Sequence, residues 1–275
     1  EYEMFYLFWI LILYLFLIMP RMINRKDFSP FKNKYYAHRG LHKEGNIAPE
    51  NSISAFELAV KEGYGIELDV QLSMDDIPIV FHDFSLYRMC GLDKEVNELT
   101  FAELKNLRLS NSGESIPSLK EVLNLVKGQV PLIIEFKTQD NSTRLCEITS
   151  PILDNYKGIY CIESFNPYVL MWYKKNRPSI VRGQLSTKFL RKGFNENNKV
   201  LDFALQNLLF NFIVKPDFIA FNHRHKYMLS FKINHYLYKI PTIAYTIQSI
   251  EELEENKNNF DLFIFENFIP IKENG

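Results

Sequence analysis

Nine short apolar runs, spaced along the whole chain, constrain its fold more than any other feature of the sequence. Each run is largely apolar rather than strictly alternating, which is typical of strands buried on both faces of a sheet. Helix start signals of the capping-box type stand between several of them, beginning at Ser54, Thr100, Ser118 and Ser249. The predicted strands are residues 35–38, 64–72, 77–82, 131–137, 158–163, 180–185, 217–221, 241–247 and 261–265.

This alternation predicts an α/β fold, and its length suits a (β/α)8 TIM barrel, which usually needs about 250 residues. A doubly wound open sheet is the alternative, because periodicity alone does not separate the two folds. The irregular interval 83–117 predicts a small insertion after the second strand region. Since no internal repeat or interdomain linker is evident, we expect residues 35–275 to form one barrel domain.

The amino-terminal segment departs from this pattern, because Met4 to Met19 contains no charged residue. We interpret residues 1–20 as a transmembrane or anchor helix and residues 21–34, which carry five Lys and Arg, as a basic juxtamembrane linker. At about 1.5 Å per residue the uncharged stretch reaches roughly 24 Å, short of the roughly 30 Å hydrocarbon core, although flanking residues could extend it.

The charge pattern decides how this segment is interpreted. The basic residues predict a single-pass membrane protein with the barrel on the cytoplasmic side. Glu1 and Glu3, and the lack of a small-residue cleavage site, argue against a signal peptide. A helix that docks on the folded domain is the other alternative.

Charge and cysteine content exclude several classes of function. The chain has 32 Lys and Arg against 33 Asp and Glu, so it lacks the positive excess expected of a nucleic-acid-binding protein. Its three cysteines form no C-x-x-C pair, which argues against a disulfide framework or a cysteine zinc site.

Acidic residues interrupt two of the apolar strands. Glu67 and Asp69 share an i, i+2 spacing, as do Glu135 and Lys137, so each pair lies on one face of its strand. If these faces point into a barrel, three carboxylates converge, and they repel one another unless a cation lies among them. Hard oxygen ligands favour Mg²⁺ or Ca²⁺, and we therefore predict a divalent-cation site.

Two histidines and two cationic side chains end the same group of strands. His38 and His82 each follow an apolar run, and a pair of imidazoles can supply one general base and one general acid. Arg39 and Lys137 suit phosphate oxygens. A cation, two histidines and two basic residues together indicate phosphodiester hydrolysis.

Five motifs, in order, carry a resemblance to a known family: "AHRG" (37–40), "APENS" (48–52), "GIELDVQLSMDDIPIVFHD" (65–83), "IPSLKEVL" (116–123) and "LIIEFK" (132–137). With "ESFNP" (163–167) and "IAYTIQSIEEL" (243–253), they make residues 35–270 resemble the glycerophosphodiester phosphodiesterases. The resemblance implies a (β/α)8 barrel with an insertion after the second strand region. It also implies a divalent cation held by Glu67, Asp69 and Glu135, with His38 and His82 as acid and base and Arg39 and Lys137 on the phosphate.

The resemblance further implies the reaction. Family members release sn-glycerol 3-phosphate and an alcohol from a glycerophosphodiester, through attack by the substrate's own glycerol hydroxyl. Departures occur late in the chain, where Tyr245 to Gln248 and then Glu266 and Asn267 replace the usual residues. Phe165, Tyr245 and Gln248 are the candidates for the alcohol or glycerol pocket.

Two alternatives for the function stay open at this point. A membrane-tethered barrel would meet lipids, so lysophospholipase D-type activity on lysophospholipids is the first. The second is a non-catalytic module that binds phosphorylated ligands at a membrane, although such a module has no need for both an acid and a base. The expected partner is in either case a small-molecule or lipid phosphodiester.

Overall fold

The computed structural model describes residues 2–42, 47–190 and 198–271. Its strands fall close to the predicted runs, because each run is long enough to cross the barrel once and is bounded by turn or capping residues. Among the described residues the strands are β1 (Tyr35–His38), β2 (Gly65–Leu72), β3 (Pro78–Val80), β4 (Leu132–Phe136), β5 (Tyr160–Ser164), β6 (Arg182–Ser186), β7 (Phe218–Asn222), β8 (Thr242–Ile247) and β9 (Leu262–Phe265).

Eight of these strands close into a ring, which confirms the (β/α)8 barrel and excludes the open sheet. The order runs from β1 through β9, β8, β7, β6, β5 and β4 to β2, and parallel pairing of β1 with β2 completes the ring. The third predicted strand, β3, lies outside the ring, because it pairs antiparallel with the end of β2. It is the first element of the insertion.

Helices connect the strands on the outside of the barrel. In the described ranges they are α1 (Tyr2–Leu17), α2 (Ile53–Lys61), α3 (Tyr87–Cys90), α4 (Phe101–Asn106), α5 (Leu119–Val126), α6 (Arg144–Asp154), α7 (Pro167–Asn176), α8 (Lys199–Gln206), α9 (Asn211–Val214), α10 (Leu229–Lys232) and α11 (Ile250–Asn256), with a π-helix at Ile233–Leu237. Short 3₁₀ turns occur at Ser29–Phe31, Val96–Glu98, Leu109–Asn111 and His223–His225.

The predicted capping signals are mostly confirmed. Thr100 and Ser118 start α4 and α5 with complete capping boxes, and Ser249 caps α11 by accepting from the Glu252 amide. The signal at Ser54 was wrong by two residues, because Ser52 caps α2 and accepts from the Ala55 amide. Ser52 has the extended backbone that an N-cap needs.

Aromatic side chains close the amino-terminal end of the barrel. Phe28 and Phe31, from the segment before β1, pack beneath the interior residues of the ring. The fully buried Tyr36 donates its hydroxyl hydrogen to the Phe31 carbonyl at 2.8 Å. The interior is therefore a packed core at this end, and the polar residues inside the barrel gather at the opposite, carboxyl end.

The insertion has a small core of its own. Its apolar residues bury one another between β3 and α5, in a cluster separate from the main barrel core and formed by Ile79, Phe81, Leu86, Met89, Val96, Leu99, Leu104, Leu109 and Ile116. This packing fixes the insertion over one edge of the barrel mouth rather than leaving it as an open loop.

The prediction of a single-pass membrane anchor is wrong. The apolar segment forms α1, whose 16 residues rise about 24 Å, less than a bilayer core of about 30 Å. No helix in the described part of the chain is both long enough and apolar enough to cross a membrane. The predicted membrane-anchored localisation, and the membrane as a partner through this helix, are therefore not supported.

Close packing inside the ring predicts the effect of one substitution. A Cβ added at Gly183 would overlap the ring of Phe218 on the neighbouring strand. We expect Gly183→Ala to lower the free energy of unfolding by about 1–3 kcal/mol, as overpacked cores do, measured by urea denaturation. Gly113→Ala is the control, because an added Cβ there meets nothing within 4 Å. Equal stabilities of the two variants would contradict this account.

Candidate active site

The predicted polar residues meet at a cavity of about 230 Å³ at the carboxyl end of the barrel. His38, Arg39, Glu67, His82 and Glu135 line it. They come together because β1, β2 and β4 are neighbours in the ring, and because parallel strands end at the same rim. The sequence spacing had placed these side chains at strand ends, and the closure of the ring makes them neighbours.

The three predicted metal ligands form one compact cluster. Glu67, Asp69 and Glu135 are all buried, and each offers a carboxylate oxygen within 4.8 Å of the others. Their hard oxygen donors fit Mg²⁺ or Ca²⁺, and the mutual repulsion of three buried carboxylates favours a cation among them. The structure also brings His38 and His42 close to Glu266, but there a direct hydrogen bond already satisfies the carboxylate.

The electrostatics of the cluster are unequal. Burial raises the pKa of Glu67 well above its usual range, and the charges of Asp69 and Glu135 raise it further. Burial acts on Asp69 in the same sense, yet His82, Lys137 and Arg39 hold the pKa of Asp69 below its ordinary value. The pKa of Glu135 is raised by burial despite the attraction of Lys137. The site thus holds more negative charge than its own cations neutralise.

His38 is held by a carboxylate that sequence reasoning did not assign to it. Its Nδ1 lies 2.5 Å from Oε2 of Glu266, the residue that follows β9. Its Nε2 faces the cluster, 3.9 Å from Oε2 of Glu67. Burial and the neighbouring Arg39 lower the pKa of His38, while Glu266 opposes them. The contact of Nδ1 with Glu266 therefore fixes the orientation of the ring, and Nε2 points toward the cavity.

His82 has the same arrangement with a different partner. Its Nδ1 lies 2.5 Å from Oδ1 of Asp83, and the other carboxylate oxygen of Asp83 accepts from Nε of Arg88 at 2.5 Å. Arg88 belongs to α3 of the insertion. The insertion therefore supports His82 through the guanidinium of Arg88.

The same guanidinium also supports the predicted phosphate-binding arginine. Arg88 donates to both oxygens of Glu50, and Glu50 accepts from Nη1 of Arg39 at 2.7 Å. Although burial opposes it, this double pairing lowers the pKa of Glu50 to about 2. Glu50 stays ionised and fixes the orientation of Arg39.

The residues "ENS" (50–52), in the loop from β1 to α2, each contact a different part of the site. Glu50 holds Arg39, the Asn51 amide donates to Oδ2 of Asp69 at 2.9 Å, and Ser52 caps α2. Gly40 makes the turn with φ of 83°, where a Cβ would lie 2.9 Å from Ala55. Three consecutive side chains thus connect three parts of the site.

The other candidates fall into different places. Lys137 lies beside the cluster, with Nζ 3.2 Å from Glu135 and 3.8 Å from Asp69, and it also lines an adjoining cavity under the insertion. Phe165 and Tyr245 line the main cavity and pack edge to face. Gln248 is not among the residues that line that cavity. It donates to Glu266 at 2.7 Å instead.

Glu163 is a residue of the site that sequence reasoning missed. It stands on β5 opposite Glu135, it is fully buried, and it lines the cavity. Burial raises the pKa of Glu163 well above its ordinary value, and Glu135 and Asp69 add to the effect. A sequence signal was present, because "YCIES" places a carboxylate inside an apolar strand just as "LIIEF" does. The partnership of Arg88 with Glu50 had no such signal.

Comparison with known proteins gives a consistent result. Residues 38–231 match the model of the "Glycerophosphoryl diester phosphodiesterase family". The chain is 30% identical over 194 residues to the glycerophosphodiester phosphodiesterase of Caldanaerobacter subterraneus subsp. tengcongensis, which covers 66% of this chain and 78% of that protein. It is 26% identical over 210 residues to lysophospholipase D GDPD1 of Rattus norvegicus, covering 71% of this chain and 59% of that one.

A solved structure shares the fold. The Oleispira antarctica phosphodiesterase, determined in complex with the product sn-glycerol-3-phosphate, superposes with a TM-score of 0.70 at 23% identity. The match covers 86% of this chain and 94% of that protein.

The crowding of carboxylates predicts an unusual effect on stability. In the presence of a chelator, Glu67→Gln should raise the free energy of unfolding by about 0.5–2 kcal/mol, because it removes one of several buried like charges. The measurement is urea denaturation at pH 7. Glu57→Gln, on the exposed face of α2, is the control and should change the stability by less than about 0.5 kcal/mol. A less stable Glu67→Gln protein would show that the repulsion is already relieved within the chain.

Proposed function

Because the chain belongs to the glycerophosphoryl diester phosphodiesterase family and is a glycerophosphodiester phosphodiesterase, we propose that it hydrolyses its substrate with His38 and His82 as general acid and base beside a divalent cation. One observation carries this proposal. Both imidazoles have Nδ1 bound to a carboxylate at 2.5 Å, and both line the cavity that borders the carboxylate cluster. Two oriented imidazoles at one cavity suit a reaction that needs one proton removed and one supplied.

The phosphate would lie between the cluster and the two cationic side chains. Arg39 is positioned by Glu50 to present its guanidinium, and Lys137 presents an ammonium from the next part of the rim. Glu67, Asp69 and Glu135 would hold Mg²⁺ or Ca²⁺. That cation, when bound, would neutralise charge developing on the phosphate oxygens.

The proton transfers follow from this placement. One imidazole takes the proton of the glycerol hydroxyl next to the phosphate as that oxygen attacks phosphorus, and the other protonates the departing alcohol oxygen. Water then opens the cyclic phosphate with the two roles reversed, which releases sn-glycerol 3-phosphate. Attack from within the substrate needs no protein nucleophile, and it gains from the high effective concentration of a neighbouring group.

The direct test is turnover by the purified full-length chain. With Mg²⁺ or Ca²⁺ it should release glycerol 3-phosphate from glycerophosphocholine, and an excess of chelator should abolish turnover. His38→Ala and His82→Ala should each lower kcat by at least about 100-fold, because each removes an acid or a base. Glu57→Gln serves as the control.

Turnover that survives metal removal, or either histidine substitution, would refute the corresponding part of the proposal. Lysophosphatidylcholine, tested in parallel, measures the alternative lipid activity.

The two carboxylates bound to the histidines allow the acid and the base to be told apart. Glu266→Gln and Asp83→Asn should each lower kcat by about 10–100-fold with little change in KM, because they loosen the orientation of a catalytic imidazole. A p-nitrophenyl ester of glycerol phosphate has a good leaving group, so it should largely restore the variant whose histidine is the acid. Losses confined to KM would contradict a positioning role. Glu147→Gln, on the exposed side of α6, is the control.

A further inference from the structure

Glu163 takes no part in the proposed reaction, although burial of its carboxyl group is energetically unfavourable. It is 1% exposed, and its Oε2 has no hydrogen-bond partner among the described residues. A buried carboxyl group without a partner destabilises a fold, so such a group in an active-site cavity calls for a ligand that completes its hydrogen bonds.

The geometry argues against Glu163 as a cation ligand. In the carboxylate cluster, the ligand atoms of Glu67, Asp69 and Glu135 lie within 4.8 Å of one another. Glu163 belongs to no such group in the described part of the chain. It belongs instead to the side of the cavity that β5, β6 and β8 form. Phe165, Leu185 and Tyr245 supply the wall there, and the Tyr245 hydroxyl donates to the Ser186 carbonyl at 2.8 Å.

The cavity is closed beneath Glu163. Gly183 stands opposite it in the next strand, and the Phe218 ring occupies the space that a side chain at Gly183 would take. Two residues before Glu163 on the same strand face, Cys161 is buried in the barrel core. The rings of Phe28, Phe31 and Phe218 form a packed aromatic floor to the barrel. A glycerol group that enters from the proposed phosphate site would therefore end at the Glu163 carboxyl group, against this aromatic floor.

We propose that Glu163 binds the terminal hydroxyl of the substrate's glycerol group, the one farthest from the phosphate, and so selects deacylated glycerophosphodiesters over lysophospholipids. This inference rests on the proposed function. An acyl chain on that hydroxyl would remove its hydrogen and would have to pass through the aromatic floor. Glu163 is in this view a specificity residue, distinct from the acid, the base and the cation ligands.

The test compares two substrates in one assay with saturating cation: glycerophosphocholine, and its analogue built on propane-1,2-diol, which lacks only the terminal hydroxyl. Glu163→Met should lower kcat/KM for glycerophosphocholine by about 10–100-fold and leave the analogue within about threefold, because the analogue has no hydroxyl to lose. Glu163→Gln, which still offers an amide, should give an intermediate loss. The ratio of the two kcat/KM values does not depend on the folded fraction of a variant, so poor folding does not obscure the result.

Each outcome decides one question. Equal losses on both substrates, or no loss on either, would overturn the role of Glu163 while the proposed function stands. A tenfold or greater weakening of cation affinity in Glu163→Met would show that Glu163 is a cation ligand and would also overturn the inference. Efficient turnover of lysophosphatidylcholine by the wild-type protein would refute the selection. Failure of the wild type to cleave any glycerophosphodiester would refute the proposed function itself, and the inference with it.

Discussion

Four carboxyl groups share the buried mouth of the barrel, and their mutual repulsion is the constraint around which the site is arranged. Glu67, Asp69, Glu135 and Glu163 all face the interior from β2, β4 and β5. His82, Lys137 and Arg39 hold the pKa of Asp69 below its ordinary value. The pKa of Glu67 nevertheless stays well above its usual range, because burial and the neighbouring carboxylates raise it. The fold tolerates the repulsion among these carboxyl groups because the rest of the barrel interior is apolar and closely packed. A cation would relieve most of the remaining repulsion.

The outer groups of the site keep these charges in place. Each of the two imidazoles that we propose as acid and base is bound to its own carboxylate, and each of those carboxylates has a further donor, Gln248 for Glu266 and Arg88 for Asp83. The orientation of each imidazole is therefore set by a carboxylate on its Nδ1 and by the donor behind that carboxylate. Orientation of this kind lowers the cost of reaching the reactive geometry.

The apolar runs of the sequence predicted both most of the barrel and the site residues that lie on or directly after its strands. Apolar runs of strand length define the ring, and an ionisable residue inside such a run is conspicuous, which identified Glu67, Asp69, His82 and Glu135. Contacts between distant segments were not predictable. Nothing in the local sequence pairs Glu266 with His38, which lie 228 residues apart, or Arg88 with Glu50. The membrane anchor was wrong because apolar composition was given more weight than the length of the segment.

The guanidinium of Arg88 links two loops that follow different strands. It connects the strand end that carries His82 with the loop that holds Arg39, so these two side chains belong to one hydrogen-bonded network. A graft of another insertion onto this barrel would have to supply a cationic side chain at the same point, since the proposed catalytic geometry belongs jointly to the barrel and to the segment that interrupts it.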